Sequence, residues 1–163
     1  MRLYVAGPLF SEAERAWLDG LAAALRAEGF DCFVPHEQFS ELRDVTLDEV
    51  FRIDAEGLRG ANALVAWLDG PCVDDGTACE IGMFAQLVAG GDPRYRGVVG
   101  IATDLRLQRR RGAVVGDGLN LFVGGAIAEA GVLCWSVEEA VATLIEWRDS
   151  AVDSAAGSPG DTT

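Results

Sequence analysis

The sequence predicts an α/β domain built on a doubly wound parallel sheet of about five strands with flanking helices. Three observations predict it. Short apolar runs such as Ala63-Leu64-Val65-Ala66-Trp67-Leu68 end in turn residues, here Asp69-Gly70-Pro71, and read as buried strands. Longer stretches carry apolar residues three and four apart, as at Ala13, Trp17, Leu21, Ala24 and Leu25, and read as helices. The two kinds of segment alternate along the chain, which is the pattern of successive β-α-β units.

The elements follow in order. A strand over 2–6 leads through Gly7-Pro8 to a helix over 11–28, opened by a Ser11/Glu14 capping box and closed by Gly29. A second strand over 31–34 ends at Pro35, a loop covers 36–45, and a helix follows over 47–59. The third strand, 63–68, precedes a helix over 76–88. A fourth strand over 96–101 runs into a polar, arginine-rich loop. Residues 119–130 read as a helix, 131–135 as a short strand and 137–148 as a last amphipathic helix. Strands separated by helices of this length make the sheet flavodoxin-like in class. One domain is expected over 1–148, with 149–163, dominated by Ser, Ala, Gly, Pro, Asp and Thr, as a disordered extension.

Composition removes several function classes. The chain has 163 residues, of which 50% are hydrophobic, enough to bury one substantial core. Its 26 acidic residues against 13 basic ones give a net charge of -13, which repels phosphate backbones and anionic lipid, so neither nucleic acid nor membrane is expected as a partner. The local exception is Arg106, Arg109, Arg110 and Arg111, read as an exposed loop. Charges interrupt every apolar run before it reaches the length of a membrane span, and the first strand meets its Gly7-Pro8 breaker too early for a signal peptide. Cys32, Cys72, Cys79 and Cys134 form no C-x-x-C pair, and only His36 could join them. That argues against a zinc site or a disulfide framework and fits a reducing cytoplasm. No cofactor is expected, because Gly7-Pro8 belongs to neither a G-x-G-x-x-G loop nor a phosphate loop with a Lys-Ser/Thr pair. No G-x-S-x-G elbow is present, and His36 has no partner legible in the sequence.

The chemistry concentrates in Asp74-Asp75-Gly76-Thr77-Ala78-Cys79-Glu80-Ile81-Gly82, at the exit of the third strand and the start of the next helix. In a parallel sheet that edge is where ligands bind. The helix start offers free backbone donors and favours an ionised carboxylate. Two acids placed there suit covalent glycosyl chemistry, in which one attacks an anomeric carbon and the other handles the leaving group. The same residues also fit a structural account, with Asp74, Asp75 or Thr77 as helix cap and Glu80 as compensation for the helix dipole. Asp54 equally fits a solvated helix acid, Phe10 a residue of the core, and Asn120 a helix cap. Trp67 and Trp135 read as core, and Cys79 as a packed small side chain.

Three segments together resemble the nucleoside 2-deoxyribosyltransferase family: Tyr4-Val5-Ala6-Gly7-Pro8-Leu9-Phe10-Ser11-Glu12-Ala13-Glu14, then Leu68-Asp69-Gly70-Pro71 through Asp74-x-Gly76-Thr77-x-x-Glu80-Ile81-Gly82, then Asn120-Leu121-Phe122-Val123-Gly124-Gly125. The resemblance spans roughly the first 147 residues and implies cleavage of the N-glycosidic bond of a deoxynucleoside, with the sugar passed to another nucleobase or to water. It implies Glu80 as nucleophile, Asp74 as a base-binding and proton-handling group, and Asp54 as a further acid holding the nucleobase. Phe10 would stack on the base, Tyr4, Gly7, Pro8 and Gly76 would shape the pocket, and Asn120 would reach the sugar of a neighbouring subunit's site. A homo-oligomer with shared active sites follows, its partners being a small-molecule nucleoside or nucleotide and a nucleobase. The rival within the same superfamily is hydrolysis of nucleoside 5′-monophosphates, for which Ser11 and Arg15 are the phosphate-binding candidates. A non-catalytic nucleotide sensor and an electron-transfer flavodoxin are remoter readings.

Overall fold

The structure is a computed structural model, and it describes residues 1–39, 45–109 and 119–156. Five parallel strands, β1 (Arg2–Ala6), β2 (Asp31–Phe33), β3 (Ala63–Trp67), β4 (Gly97–Ile101) and β5 (Gly131–Cys134), form one sheet in the order β2-β1-β3-β4-β5. That is the flavodoxin-like order, with its reversal between β1 and β3. The helices are α1 (Glu12–Ala27), α2 (Leu47–Gly60), α3 (Asp75–Ala89), α4 (Leu105–Arg109), α5 (Leu121–Ala130) and α6 (Val137–Ala156).

Alternation along the strands divides the core into two layers. Leu3, Val5, Ala63 and Val65 face one side, where Leu18, Leu21 and Leu25 of α1 and Ala140 and Leu144 of α6 cover them. Tyr4, Ala6, Leu64 and Ala66 face the other, under Leu58 of α2, Ile81 and Phe84 of α3 and Ile127 of α5. Strands buried on both faces need apolar residues at every position, which is why β3 reads as an unbroken apolar run. Tyr4 is the polar exception. Its ring stacks on Phe33 at 5.1 Å, while its hydroxyl points along the α2/α3 layer toward the site.

Local signals hold each element in place. Ser11 and Glu14 complete the expected capping box reciprocally, the Ser11 hydroxyl accepting from the Glu14 amide at 3.2 Å and the Glu14 carboxylate accepting from the Ser11 amide at 2.7 Å. Ser11→Ala should cost about 1 kcal/mol, measurable as a lowered urea midpoint. Gly29, at φ 83, turns the chain from α1 into β2 in a conformation that side chains resist. Asp69, one residue past Leu68, accepts from the amides of Thr103 at 2.7 Å and Asp104 at 2.8 Å. It thereby ties the exit of β3 to the exit of β4.

The structure departs from expectation in several places. The loop expected over 36–45 opens with a single 3₁₀ turn, Pro35–Gln38, and residues 40–44 lie outside those described. The arginine-rich segment forms α4, with Arg106 paired to Asp104, whereas Arg110 and Arg111 lie outside the described residues. The last helix does not stop at 148 but runs to Ala156, and residues 157–163 are outside the described set. Cys79 is exposed rather than packed, whereas Trp67, half-buried, packs against the α1/α6 core layer as expected and stacks on Trp17 at 4.1 Å. Among the described residues, no helix is long and apolar enough to cross a membrane.

Candidate active site

A cavity of about 610 Å³ opens at the carboxyl edge of the sheet, where β1 and β3 diverge into their loops. The strand-order reversal places it there, since the connections leaving β1 and β3 run to opposite faces and leave a crevice. Gly7, Leu9 and Phe10 contribute from the β1 loop, Asp54 and Val50 from α2, and Asp74, Gly76, Thr77 and Glu80 from the start of α3.

Glu80 lies on the inward face of α3, in helical register with the buried Thr77 and Phe84. Its carboxylate accepts a 2.5 Å hydrogen bond from the Tyr4 hydroxyl. Burial pushes the Glu80 carboxyl up to about 7, the Tyr4 hydrogen bond pulls it back, and the charges of Asp54 and Asp74 raise it further. The same burial, followed by the charge on Glu80, drives the Tyr4 phenol far above its ordinary range, so that it stays a donor. The helix start does not dominate here, as Glu80 lies beyond the first turn and desolvation outweighs the dipole.

Asp54 sits one turn before the buried Leu58 on α2, and its Oδ1 is buried without a hydrogen-bond partner. Burial pushes its carboxyl up to about 6. Asp54 is therefore no solvated surface acid. Asp74 is the N-cap of α3, with Oδ2 accepting from the Thr77 amide at 3.0 Å and from the Thr77 hydroxyl at 3.1 Å. The capping account of Asp74 is thus correct, and it leaves Oδ1 outside the cap. Gly76 matters sterically, because a Cβ there would stand 3.2 Å from Asp74 Oδ2.

Phe10 is 75% exposed at the cavity mouth and belongs to no core layer. Arg15 fixes the loop that carries it, donating from one guanidinium nitrogen to the carbonyls of Leu9 and Phe10, each at 2.9 Å. Three expected site residues are not on the cavity wall. Pro8 is absent from the lining, and Asn120 caps α5, accepting from the amides of Phe122 at 2.9 Å and Val123 at 3.2 Å. Tyr4 meets the cavity only through Glu80.

The sequence profile described as nucleoside 2-deoxyribosyltransferase matches residues 3–106, more than half of the chain. The chain belongs to the nucleoside 2-deoxyribosyltransferase family. Among solved structures, a conserved protein from Enterococcus faecalis V583 superposes with a TM-score of 0.73 at 25% identity, covering 90% of this chain and 98% of that one. A 2-deoxyribosyltransferase from Bacillus psychrosaccharolyticus gives 0.63 at 20% identity, covering 86% and 90%. A 2-desoxiribosyltransferase from Leishmania mexicana gives 0.61 at 21% identity, covering 89% and 97%. The last two likenesses concern the fold. No curated protein sequence matches the chain.

One member of this deoxyribosyltransferase-family cavity escaped the sequence reading. His36 lines the wall and is paired with Asp19 of α1, Nε2 to Oδ1 at 2.7 Å, which corrects the expectation of an unpartnered histidine. Its position directly after β2 was the available signal, since that strand too ends at the ligand-binding edge. Among the described residues, no group of three or more His, Cys, Asp or Glu side chains is placed to share a metal ion.

Proposed function

We propose that the protein is a nucleoside 2-deoxyribosyltransferase that works through a covalent glycosyl ester on Glu80. What carries the reading is the buried Glu80 carboxylate, held by Tyr4 in one cavity with Asp54 and Asp74. Tyr4 occupies Oε1, so Oε2 remains to attack. As the Oε2–C1′ bond forms, the C1′–N bond breaks, and the departing base takes its proton from Asp54, whose carboxyl near 6 can carry one close to neutral pH. The nitrogen of an incoming base then attacks C1′, the ester breaks, and its proton returns to Asp54. Two displacements retain the configuration at C1′. Phe10 stacks on the base, and Asp74 Oδ1 holds it. Asn120 reaches the sugar of a neighbouring copy's site, which makes an oligomer part of the proposal.

The commitments of Ser11 and Arg15 favour a nucleoside over a 5′-monophosphate. The Ser11 hydroxyl is taken up by the helix cap, and Arg15 by two loop carbonyls. Purified protein incubated with thymidine and adenine should form deoxyadenosine, followed by chromatography. Release of free base without transfer would place the chain in a hydrolytic role, and no turnover of nucleosides or nucleotides would overturn the reading.

Tyr4→Phe tests the positioning of Glu80. It keeps the ring against Phe33 but removes the hydrogen bond that lowers the Glu80 carboxyl. Since the nucleophile must be ionised, the acidic limb of the kcat profile should move to higher pH, with activity at pH 6 falling more than at pH 8. An unmoved limb would deny Tyr4 this role.

A further inference from the structure

His36 is the chain's one histidine, and its surroundings are unusual for a wall residue. It sits in the 3₁₀ turn after β2, with only 14% of its side chain exposed. Nε2 faces the Asp19 carboxylate, while Nδ1 is buried with no hydrogen-bond partner. A buried polar atom left unpaired costs about 1–3 kcal/mol. Leu9, Pro35, Phe39 and Val50, which line the same cavity, carry no side-chain donor. Among the described residues none partners Nδ1, and a ligand in the cavity can supply the donor.

Asp19 also decides which kind of group His36 can meet. An ionised carboxylate only accepts, so in the neutral ring the proton resides on Nε2 and Nδ1 is a bare acceptor. Asp54 Oδ1, the other buried polar atom of the described cavity lining without a partner, belongs to a group that can accept or, when protonated, donate. Asp54 therefore tolerates either kind of base edge, whereas His36 Nδ1 accepts only from a donor.

Resting on the N-glycosyl reading above, we infer that His36, fixed by Asp19, is the specificity-determining residue for the nucleobase and selects bases bearing an exocyclic amino group over their oxo counterparts. An amino group donates to Nδ1. An oxo group there sets lone pair against lone pair and leaves both unpaired. A preference of about tenfold or more follows from one such mismatch.

The test compares kcat/KM for deoxyadenosine against deoxyinosine, and for deoxycytidine against deoxyuridine, in wild type, His36→Leu and Asp19→Asn. Wild type should favour the amino base of each pair by about tenfold, and His36→Leu should bring the ratios close to one. Asp19→Asn alters an exposed residue and frees the tautomer, so it should narrow the ratios severalfold even if His36→Leu does not fold. Because the histidine is single, ¹⁵N imidazole NMR reads it directly. Nδ1 should be unprotonated in the free protein and should shift with adenine far more than with hypoxanthine. Turnover with ratios unchanged in the variants, or a proton found on Nδ1, would overturn the assignment. If no nucleoside or nucleotide is cleaved, the glycosyl reading fails separately. An Nδ1 signal unmoved by saturating adenine would then sink the role of His36 as well.

Discussion

Glu80→Gln should lower glycosyl transfer by about 10⁴-fold or more and at the same time make the protein more stable at pH 8. The two effects share one cause. Glu80 is a carboxylate placed where water cannot solvate it well, and burial raises its carboxyl from 4.5 to about 7. A raised carboxyl favours the protonated form in the folded state. Its contribution is fully present below about 4.5 and is lost as pH rises through about 7, so at pH 8 the fold carries an ionised, partly desolvated group. That gap corresponds to up to about 3 kcal/mol. Glutamine has nearly the same shape, keeps an acceptor for the Tyr4 hydroxyl and carries no charge to desolvate. A melting temperature raised by about 5 °C at pH 8, with little difference at pH 4, is the expected result in a chain of this size. Asp54, raised to about 6 by burial, titrates in the same direction and remains, so the variant should keep a shallower decline from pH 4 to 6. Equal stability of the two proteins at pH 8 would mean that Glu80 is better solvated than its position indicates. Preserved transfer would remove it as nucleophile.

The reasons why Glu80 was legible in the sequence and His36 was not are physical ones. Glu80 follows a strand whose apolar run is unbroken because both faces are buried, and it stands three residues after a threonine and four before a phenylalanine that face the core. Each of those relations is local, within the reach of periodicity and turn chemistry. The ring of His36 depends on Asp19, seventeen residues away on another element, and that pairing exists only once β2 has docked beside β1. Asp54 lies between these cases. Its place on a helix was evident, but its burial follows from α2 packing over β1 and against α3, which a single sequence does not display. Asn120 shows the opposite limit, since its capping role is local and visible, whereas any reach into a second copy's site belongs to an assembly. The helix ending at Ala156 was cut short for a related reason, because small and polar residues past 148 carry little periodicity even when the backbone continues as a helix.

Gly131→Ala should destabilise the fold by about 3 kcal/mol or more, although it adds a single methyl group. Gly131 begins β5 and pairs with Val98 of β4. A Cβ at 131 would lie 1.8 Å from the Val98 carbonyl oxygen and 2.6 Å from its amide nitrogen. Its φ of 175° is ordinary extended backbone, so the demand comes from the closeness of the two strands and not from an unusual dihedral. Nothing flexible can give way, as both colliding atoms are main chain within a parallel ladder. Only β5 can move, being the edge strand, and it cannot move alone, because α5 ends at Ala130 with no linker before it. Shifting that junction disturbs Ile127 and Ala130 in the core layer that also holds Ile81 and Phe84, the neighbours of Glu80 along α3. A urea midpoint lowered by about 1 M or more is therefore expected, accompanied by weakened activity in the folded fraction. Gly125→Ala, five residues before α5 ends, provides the contrast. A Cβ there meets nothing within 4 Å, so relief of glycine's backbone entropy should leave stability unchanged or raise it by up to about 1 kcal/mol. If the two substitutions behave alike, the β4–β5 contact is looser than a direct main-chain approach, and the rigid support it gives to the Glu80 helix has to be sought elsewhere.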